Sequence, residues 1–441
     1  MLRSKRPLKI VGYALAASLM LCANSGCTAT GKIYNDPSAS PSGDRPSPAG
    51  ELTRPKLTQF VSGSAQIDPA VLEAIYNLGG EQVRSEDSEN AVASPVGTTV
   101  GFAQVGVGAA GQTRQQIEQA LGASGDDLLN QYGQVWAVWE QWDGSPDVVK
   151  GDELPANPVV STSARVAVAD NFEPREEYVG ALAENFGVSA DRVDFASPQG
   201  KADLDRWANE HTGGLVKESK IQPDGGTAMV LQNATVLAAA WAEPFNPLDT
   251  EPNDFTTGSG QKVQVDSMFL SSHLPYAEGS NWEATRLDYA NSTLAAYIVM
   301  PPAGTELSGK DLLSAVQGVE RGSGKKMLLW LPKVDTSSTT DLRPVLRQCG
   351  VEDVFGSSAD LSGINADAPL AVGQAVQQTV LQMDEAGTKA AALTEIEIGV
   401  MAAPEEDEPI HFMVDRPYYV VIADRQSQLP LFLARISNPQ A

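Results

Sequence analysis

The residue types that usually carry chemistry are sparse in this chain. Among 441 residues there are three histidines, His211, His273 and His411, and three cysteines, Cys22, Cys27 and Cys349. The sequence has no HExxH pair, no paired CxxC, no Walker loop and no GxSxG elbow, so metalloprotease, redox, nucleotide and α/β-hydrolase chemistry have no motif to rest on. The histidines lie in polar stretches that read as surface. Two cysteines fall in or just after the first apolar run, which leaves Cys349 as the single thiol of the folded body and excludes an internal disulfide there. It reads as a small buried hydrophobe rather than a reactive thiol. No cofactor and no metal are expected, and the chain is not read as an enzyme; a hydrolase would need a nucleophile beside one of these histidines.

One stretch has a pattern that could act, from Asp384 to Pro409. It reads Asp384-Glu-Ala-Gly-Thr-Lys-Ala-Ala-Ala-Leu-Thr-Glu-Ile-Glu-Ile-Gly-Val-Met401, then Ala402-Ala-Pro-Glu-Glu-Asp-Glu-Pro409. From Thr388 to Ile398 the even positions are Thr, Ala, Ala, Thr, Ile and Ile, while the odd ones are Lys, Ala, Leu, Glu and Glu. A period of two with one small or apolar face predicts a strand buried on one side. The residues beyond Met401, two alanines and a proline-flanked acidic run, have the composition of an exposed loop. An ordinary edge strand with its loop satisfies the pattern; so does a loop that later becomes a strand.

The elements that must position this stretch are set by apolar periodicity. Spacings of three and four predict helices around 68–80, 114–122, 177–187 and 201–210. Buried strands are predicted at Met229–Leu237, Thr293–Met300 and Lys326–Leu331. Helices lead and strands dominate later, which argues α+β. No repeat and no long Pro/Gly linker divides the chain after about residue 57, so 57–441 is expected to be one domain.

Composition bounds the partners. The chain is 42% hydrophobic and 20% charged, with 31 basic and 56 acidic residues for a net charge of −25. Residues 1–26 hold four of those basic residues, Arg3, Lys5, Arg6 and Lys9, and no acid, so the remainder carries −29. Such an excess of acid argues against nucleic acid as a partner and favours solubility. The basic residues precede an apolar run from Ile10 to Ala23, the charge and length of a secretory signal and short for a membrane span. Residues 1–26 are therefore read as a signal peptide. The next residues, Asn24-Ser25-Gly26-Cys27, resemble the cleavage box of bacterial lipoproteins, in which the cysteine receives the lipid; Asn24 departs from the aliphatic residue usual there. That resemblance implies a lipid anchor at Cys27, with ordinary signal cleavage as the alternative. Residues 27–56, rich in Pro, Ser and Gly, read as an extended tether.

The body resembles the serpins along nearly its whole length. Asp384-Glu-Ala-Gly-Thr-Lys-Ala-Ala-Ala looks like the family's reactive-loop hinge. Asn90–Pro95, Gly108–Thr113, Asp194-Phe195, Trp207 with Thr212–Gly214, Asn233–Trp241 with Pro244-Phe245, Leu331–Lys333, Asp341-Leu342, Gly350–Phe355, Ala359–Gly363, Asp415–Pro417 and Pro430–Pro439 match its other segments in order. Two positions depart: the family's buried histidine is Gln377 here, and a serine usual three residues after Ser94 is Gly97.

The resemblance implies a serpin fold, with helices around three β-sheets and an exposed reactive loop. It also implies suicide inhibition of serine proteases: the protease serine attacks the loop, and the cut loop inserts into the main sheet before the acyl-enzyme hydrolyses. Glu385, Gly387, Thr388, Ala390, Ala391 and Ala392 are then the hinge, and all of them but Glu385 are small enough to enter a sheet. Ser94, Asn233, Trp241 and Gln377 belong to the region that opens. Burial of Ile396 and Ile398 would favour insertion by about 1.5–3 kcal/mol each. The family's spacing puts the reactive bond sixteen residues after Glu385, at Met401-Ala402, within an uncharged run from Val400 to Ala403 in which Val400 and Ala402 are the alternative cleavage residues. Such a run suits elastase-, chymotrypsin- or subtilisin-like targets. The resemblance further implies a monomer that meets proteases covalently outside the cytoplasm and meets the membrane only through Cys27. The alternative is a non-inhibitory serpin acting as a surface binding module.

Overall fold

The computed structural model describes residues 13–23, 67–86, 88–151, 153–388 and 408–441, with 13–23 and 388 described by their backbone alone. The first described element is a strand, β1 (Tyr13–Ala23), and the next is α1 (Pro69–Ser85). Asp68 caps α1 by accepting from the Ala70 amide at 2.7 Å, and Pro69 supplies a preset first turn. Val71, Leu72, Ile75, Tyr76, Leu78 and Val83 make its buried face.

After β2 (Asn90–Ala93) comes α2 (Pro95–Gly108), capped by Ser94 with Pro95 at its first position. Nearly every residue of α2 is buried. Helices α3 (Gly111–Leu121) and α4 (Asp126–Ala137) come next, then β3 (Val159–Ala169), α5 (Glu176–Phe186), β4 (Ser189–Val193) and α6 (Pro198–His211). Strand β5 (Thr227–Ala240) is buried at every residue except its last. Next are β6 (Glu251–Thr256), β7 (Lys262–Glu278), β8 (Glu283–Asp288), β9 (Leu294–Met300), α7 (Gly309–Arg321), β10 (Gly324–Pro332) and β11 (Val334–Asp341). The chain closes with α8 (Leu342–Gln348), β12 (Leu370–Met383), β13 (Gly387–Thr388), β14 (Ile410–Met413), β15 (Tyr418–Asp424) and β16 (Pro430–Ile436).

The predicted helices and strands are all present, with ends displaced by a few residues, and the fold is α+β with three sheets. The main sheet has the order β11-β12-β1-β5-β3-β4, with β13 also on β5. The other two sheets share the long strand β7. Its first part pairs with β6 and β10, and its last residues, from Tyr276, pair with β8. From β8 the pairing continues through β9, β15 and β16 to β2, and β14 joins β10. One apolar core joins α1, α2, the main sheet and the β9–β15–β16 group. Helix α2 lies against the middle of the main sheet, and residues 387–388, Gln377 and Asn233 all lie on this sheet.

Strand β1 was not expected from the sequence. An unbroken apolar run has no period, so pattern alone does not separate a signal segment from a strand buried on both faces. Among the described residues no helix is long and apolar enough to cross a membrane.

Candidate functional site

The hinge begins where β12 ends. Asp384 and Gly387 close a turn: the Asp384 amide donates to the Gly387 carbonyl at 3.0 Å, and the Ala386 amide donates to the Asp384 carboxylate at 3.1 Å. Gly387 then lies opposite Ala240 and Thr388 opposite Ala239. Gly387 has φ +144°, and a Cβ there would sit 2.5 Å from the Ala239 carbonyl oxygen and 2.8 Å from the Trp241 amide nitrogen. Only glycine permits both that backbone angle and that approach.

The spatial neighbours of this turn hold it from three sides. The Trp241 amide donates to the Ala386 carbonyl, and the Trp241 indole Nε1–H donates to the Asp384 carbonyl, both at 3.0 Å. Trp241 itself stacks on Tyr289, with ring centroids 4.6 Å apart. The Phe245 amide donates to the Glu385 carbonyl at 2.7 Å. The Glu385 carboxylate, 8% exposed, pairs with the Lys333 ammonium at 2.5 Å and accepts from the Thr250 hydroxyl at 2.8 Å.

The two hinge carboxylates are driven apart. Burial raises Asp384 above the ordinary carboxylate value, and backbone donors offset only part of that rise. Burial also works against the Glu385 anion, but the hydrogen bonds from Lys333 and Thr250, with the Lys333 charge, bring it below its ordinary value.

A buried polar cluster lies halfway down the same sheet. Gln377, 1% exposed, accepts at Oε1 from Gln82 Nε2 at 2.5 Å and from the Ser94 amide at 2.8 Å. Its Nε2 donates to the Ser94 carbonyl at 3.0 Å and to the Thr98 hydroxyl at 2.7 Å. The Ser94 hydroxyl accepts from the Gly97 amide at 3.2 Å. Gln377 therefore ties β12 to the end of α1 and the start of α2. Across the sheet Asn233 is equally buried, and neither its Oδ1 nor its Nδ2 finds a partner among the described residues. Gln377 and Asn233 lie at one level, both opposite Ala17 of β1.

The arrangement is one of strand pairing around a single position in the sheet. Strand β1 is antiparallel to both β5 and β12, so without it those two strands would face each other in parallel across a strand-wide position. Gly387 and Thr388, on the top of β5, stand at the mouth of that position. A family model described as Serpin (serine protease inhibitor) matches residues 76–439.

The chain belongs to the serpin family. Rat alpha-1-antiproteinase is 28% identical over 385 residues, covering 85% of this chain and 89% of that protein. A serpin-like protein of Thermococcus kodakarensis is 27% identical over 436 residues, covering 97% and 98%. Human neuroserpin is 24% identical over 400 residues, covering 87% and 94%. In fold, the thermophilic serpin tengpin in its native state superposes with a TM-score of 0.71 at 20% identity, over 87% of this chain and 98% of that one. Thyroxine-binding globulin in complex with thyroxine superposes with 0.69 at 21%, over 84% and 98%.

Of the residues singled out from sequence, Ser94, Gln377, Asn233, Trp241, Glu385 and Gly387 converge on the main sheet of this serpin. Thr388 is placed by its backbone. Ala390, Ala391, Ala392, the Met401-Ala402 bond and Cys27 lie outside the described residues. Sequence reasoning missed Gln82, Thr98, Thr250 and Lys333. Gln82 had left a signal: it falls one helical step beyond Ile75 and Leu78, a polar residue on an apolar stripe.

The residues with other chemistry stay apart from this site. Cys349 is half-buried, and burial pushes its thiol up to about 11, which keeps it protonated and unreactive at neutral pH. His211 Nδ1 lies 3.1 Å from the Ser163 hydroxyl, but the histidine ring packs tilted against Trp207 with centroids 4.4 Å apart, and Ser163 is in the middle of β3. Among the described residues no cluster of histidine, cysteine and carboxylate side chains could hold a metal.

Proposed function

We propose that this serpin is a suicide inhibitor of serine proteases with an elastase-, chymotrypsin- or subtilisin-like specificity pocket. The observation that carries the reading is the seating of Gly387 and Thr388 on the top of β5, in a register that feeds the rest of the loop between β5 and β12. A protease serine that attacked the Met401 carbonyl would form an acyl-enzyme and release a chain beginning at Ala402. The freed segment from Lys389 would then zip downward, with Ala390, Ala392, Thr394, Ile396 and Ile398 on the buried face and small Ala391 passing the hinge. Trapping is a race between that insertion and deacylation.

The reading extends to the ends of the chain. Residues 1–26 act as an export signal, Cys27 takes the lipid, and residues 27–56 tether the domain 57–441 outside the cytoplasm as a monomer. Mass spectrometry of the mature amino terminus tests this part: a lipid-modified Cys27 is expected, and an unmodified terminus at another residue would contradict it.

The inhibitory reading is tested by mixing the exported protein with subtilisin, elastase, chymotrypsin and trypsin. An adduct that survives boiling in detergent is expected with at least one of the first three and not with trypsin, together with a released peptide that starts at Ala402. Cleavage without an adduct for every enzyme would assign the protein instead to the non-inhibitory members of the family.

A further inference from the structure

Strand β1 stands where the inserted loop would stand, residue for residue. Gly387 and Thr388 lie opposite Ala240 and Ala239; one antiparallel step at a time, residue 390 would fall opposite Leu237, the partner of Tyr13. The other wall gives the same offset independently. The bridge between Asp384 and Gly387 would place residue 391 opposite Val380, the partner of Ala14. Ala14 through Met20 thus hold, on both walls, the register of residues 391–397.

At 392, 394 and 396, which the alternation assigns to the interior face, the loop has Ala, Thr and Ile; the residues of β1 at the same register positions are Leu15, Ala17 and Leu19. Occupancy also fits the wall: among the described residues the buried Asn233 amide is without a partner at the level of Ala17, where the occupant separates it from the strand that carries Gln377.

We propose that in the uncleaved chain residues 13–23 are the resident strand of the position between β5 and β12, and that they bar the chain's own loop until the leader is removed. Two strands do not share one ladder position, since each backbone N–H and C=O of β5 and β12 pairs once across it. A loop cut in the uncleaved chain has nowhere to insert, and the acyl-enzyme hydrolyses. The consequence for proteases rests on the trapping reading above, whereas the strand itself does not. Its benefit is physical: an apolar leader and an open sheet are both aggregation hazards, and each covers the other.

The test uses the full 441-residue chain, purified with its leader, beside the double substitution Ala17→Pro/Leu19→Pro, which removes two ladder donors from the middle of the strand. Hydrogen–deuterium exchange of the peptide spanning 13–23 should be at least about 100-fold slower than that of free chain in the natural sequence, and should reach the free rate in the double variant. With subtilisin as the probe, the natural full chain should be cut without an adduct, while the variant should form the boiling-resistant adduct. Free-chain exchange of 13–23 in the natural sequence, or equal adduct formation by both chains, would overturn the proposal. If neither chain traps while the exchange difference stands, the trapping reading falls and the strand placement is upheld.

Discussion

The two walls of the central strand position bury one polar amide each at the same level and treat them in opposite ways. On the β12 wall Gln377 has its oxygen and nitrogen engaged by Gln82, Ser94 and Thr98. On the β5 wall Asn233 has neither engaged among the described residues. An unpaired buried amide costs about 1–3 kcal/mol, whereas a paired one contributes a modest net gain. The β12 wall is therefore fixed to the helices behind it whatever lies in the sheet. On the β5 wall the Asn233 amide, unpaired among the described residues, has no such tie.

The largest effect should come from blocking entry along the β5 wall. The alternation puts Thr388 first on the interior face, so Thr388→Arg would carry a long cation to the buried side of the inserting strand, costing several kcal/mol. Each 1.4 kcal/mol added to the insertion barrier slows it about tenfold, so adduct formation by the leader-free protein should drop by at least about 100-fold while cleavage at the same bond continues. Lys389→Arg, one residue on, should change little. Equal loss in both would break the assignment of faces.

The walls themselves are compared by truncation. Gln377→Ala would leave Gln82 Nε2 and the Ser94 amide buried without their acceptor, a loss of about 1–3 kcal/mol for each such group in a urea titration. Asn233→Ala in the uncleaved chain removes an amide that has no partner among the described residues, and should cost at least about 1 kcal/mol less than Gln377→Ala. If the two substitutions cost the same, the asymmetry between the walls is wrong.

The smallest effect concerns acid. Glu385 is held below its ordinary value by Lys333 and Thr250, so its contribution is complete above the unfolded value of about 4.3 and is lost as pH falls through the depressed folded value. Asp384, raised by burial, works the other way, penalising the fold as pH rises past about 3.9. Between about pH 5 and 3 the two partly cancel, and Lys333→Met should remove the Glu385 part. Urea midpoints measured across that range should then fall less steeply in the variant than in the natural sequence. An identical slope would mean that Lys333 does not support the hinge.

Much of this was legible in the sequence, for reasons that differ between elements. Helices α1, α3, α5 and α6 have one apolar face, and strands β5, β9 and β10 are short apolar runs, so spacing alone located them. Helix α2 has no such stripe; it is buried on all sides, and only its Ser94-Pro95 start marks it. The hinge could be named from its small residues, yet its clamp could not. Lys333, Thr250 and Trp241 reach Glu385 and Asp384 from 52, 135 and 143 positions away, and no local pattern encodes such pairings. Strand β1 was hidden for the opposite reason: its apolar run fits a leader and an inner strand equally well.

The central claim is that one strand position between β5 and β12 accepts either the leader or the cut loop, and never both. Its most direct test is the urea midpoint before and after cleavage at Met401-Ala402, measured on the full chain and on its Ala17→Pro/Leu19→Pro form. Cleavage should raise the midpoint of the proline form, because the loop adds a strand to the sheet, and should leave that of the natural full chain unmoved. A rise in both forms would contradict the leader's occupancy, and a rise in neither would contradict insertion of the loop.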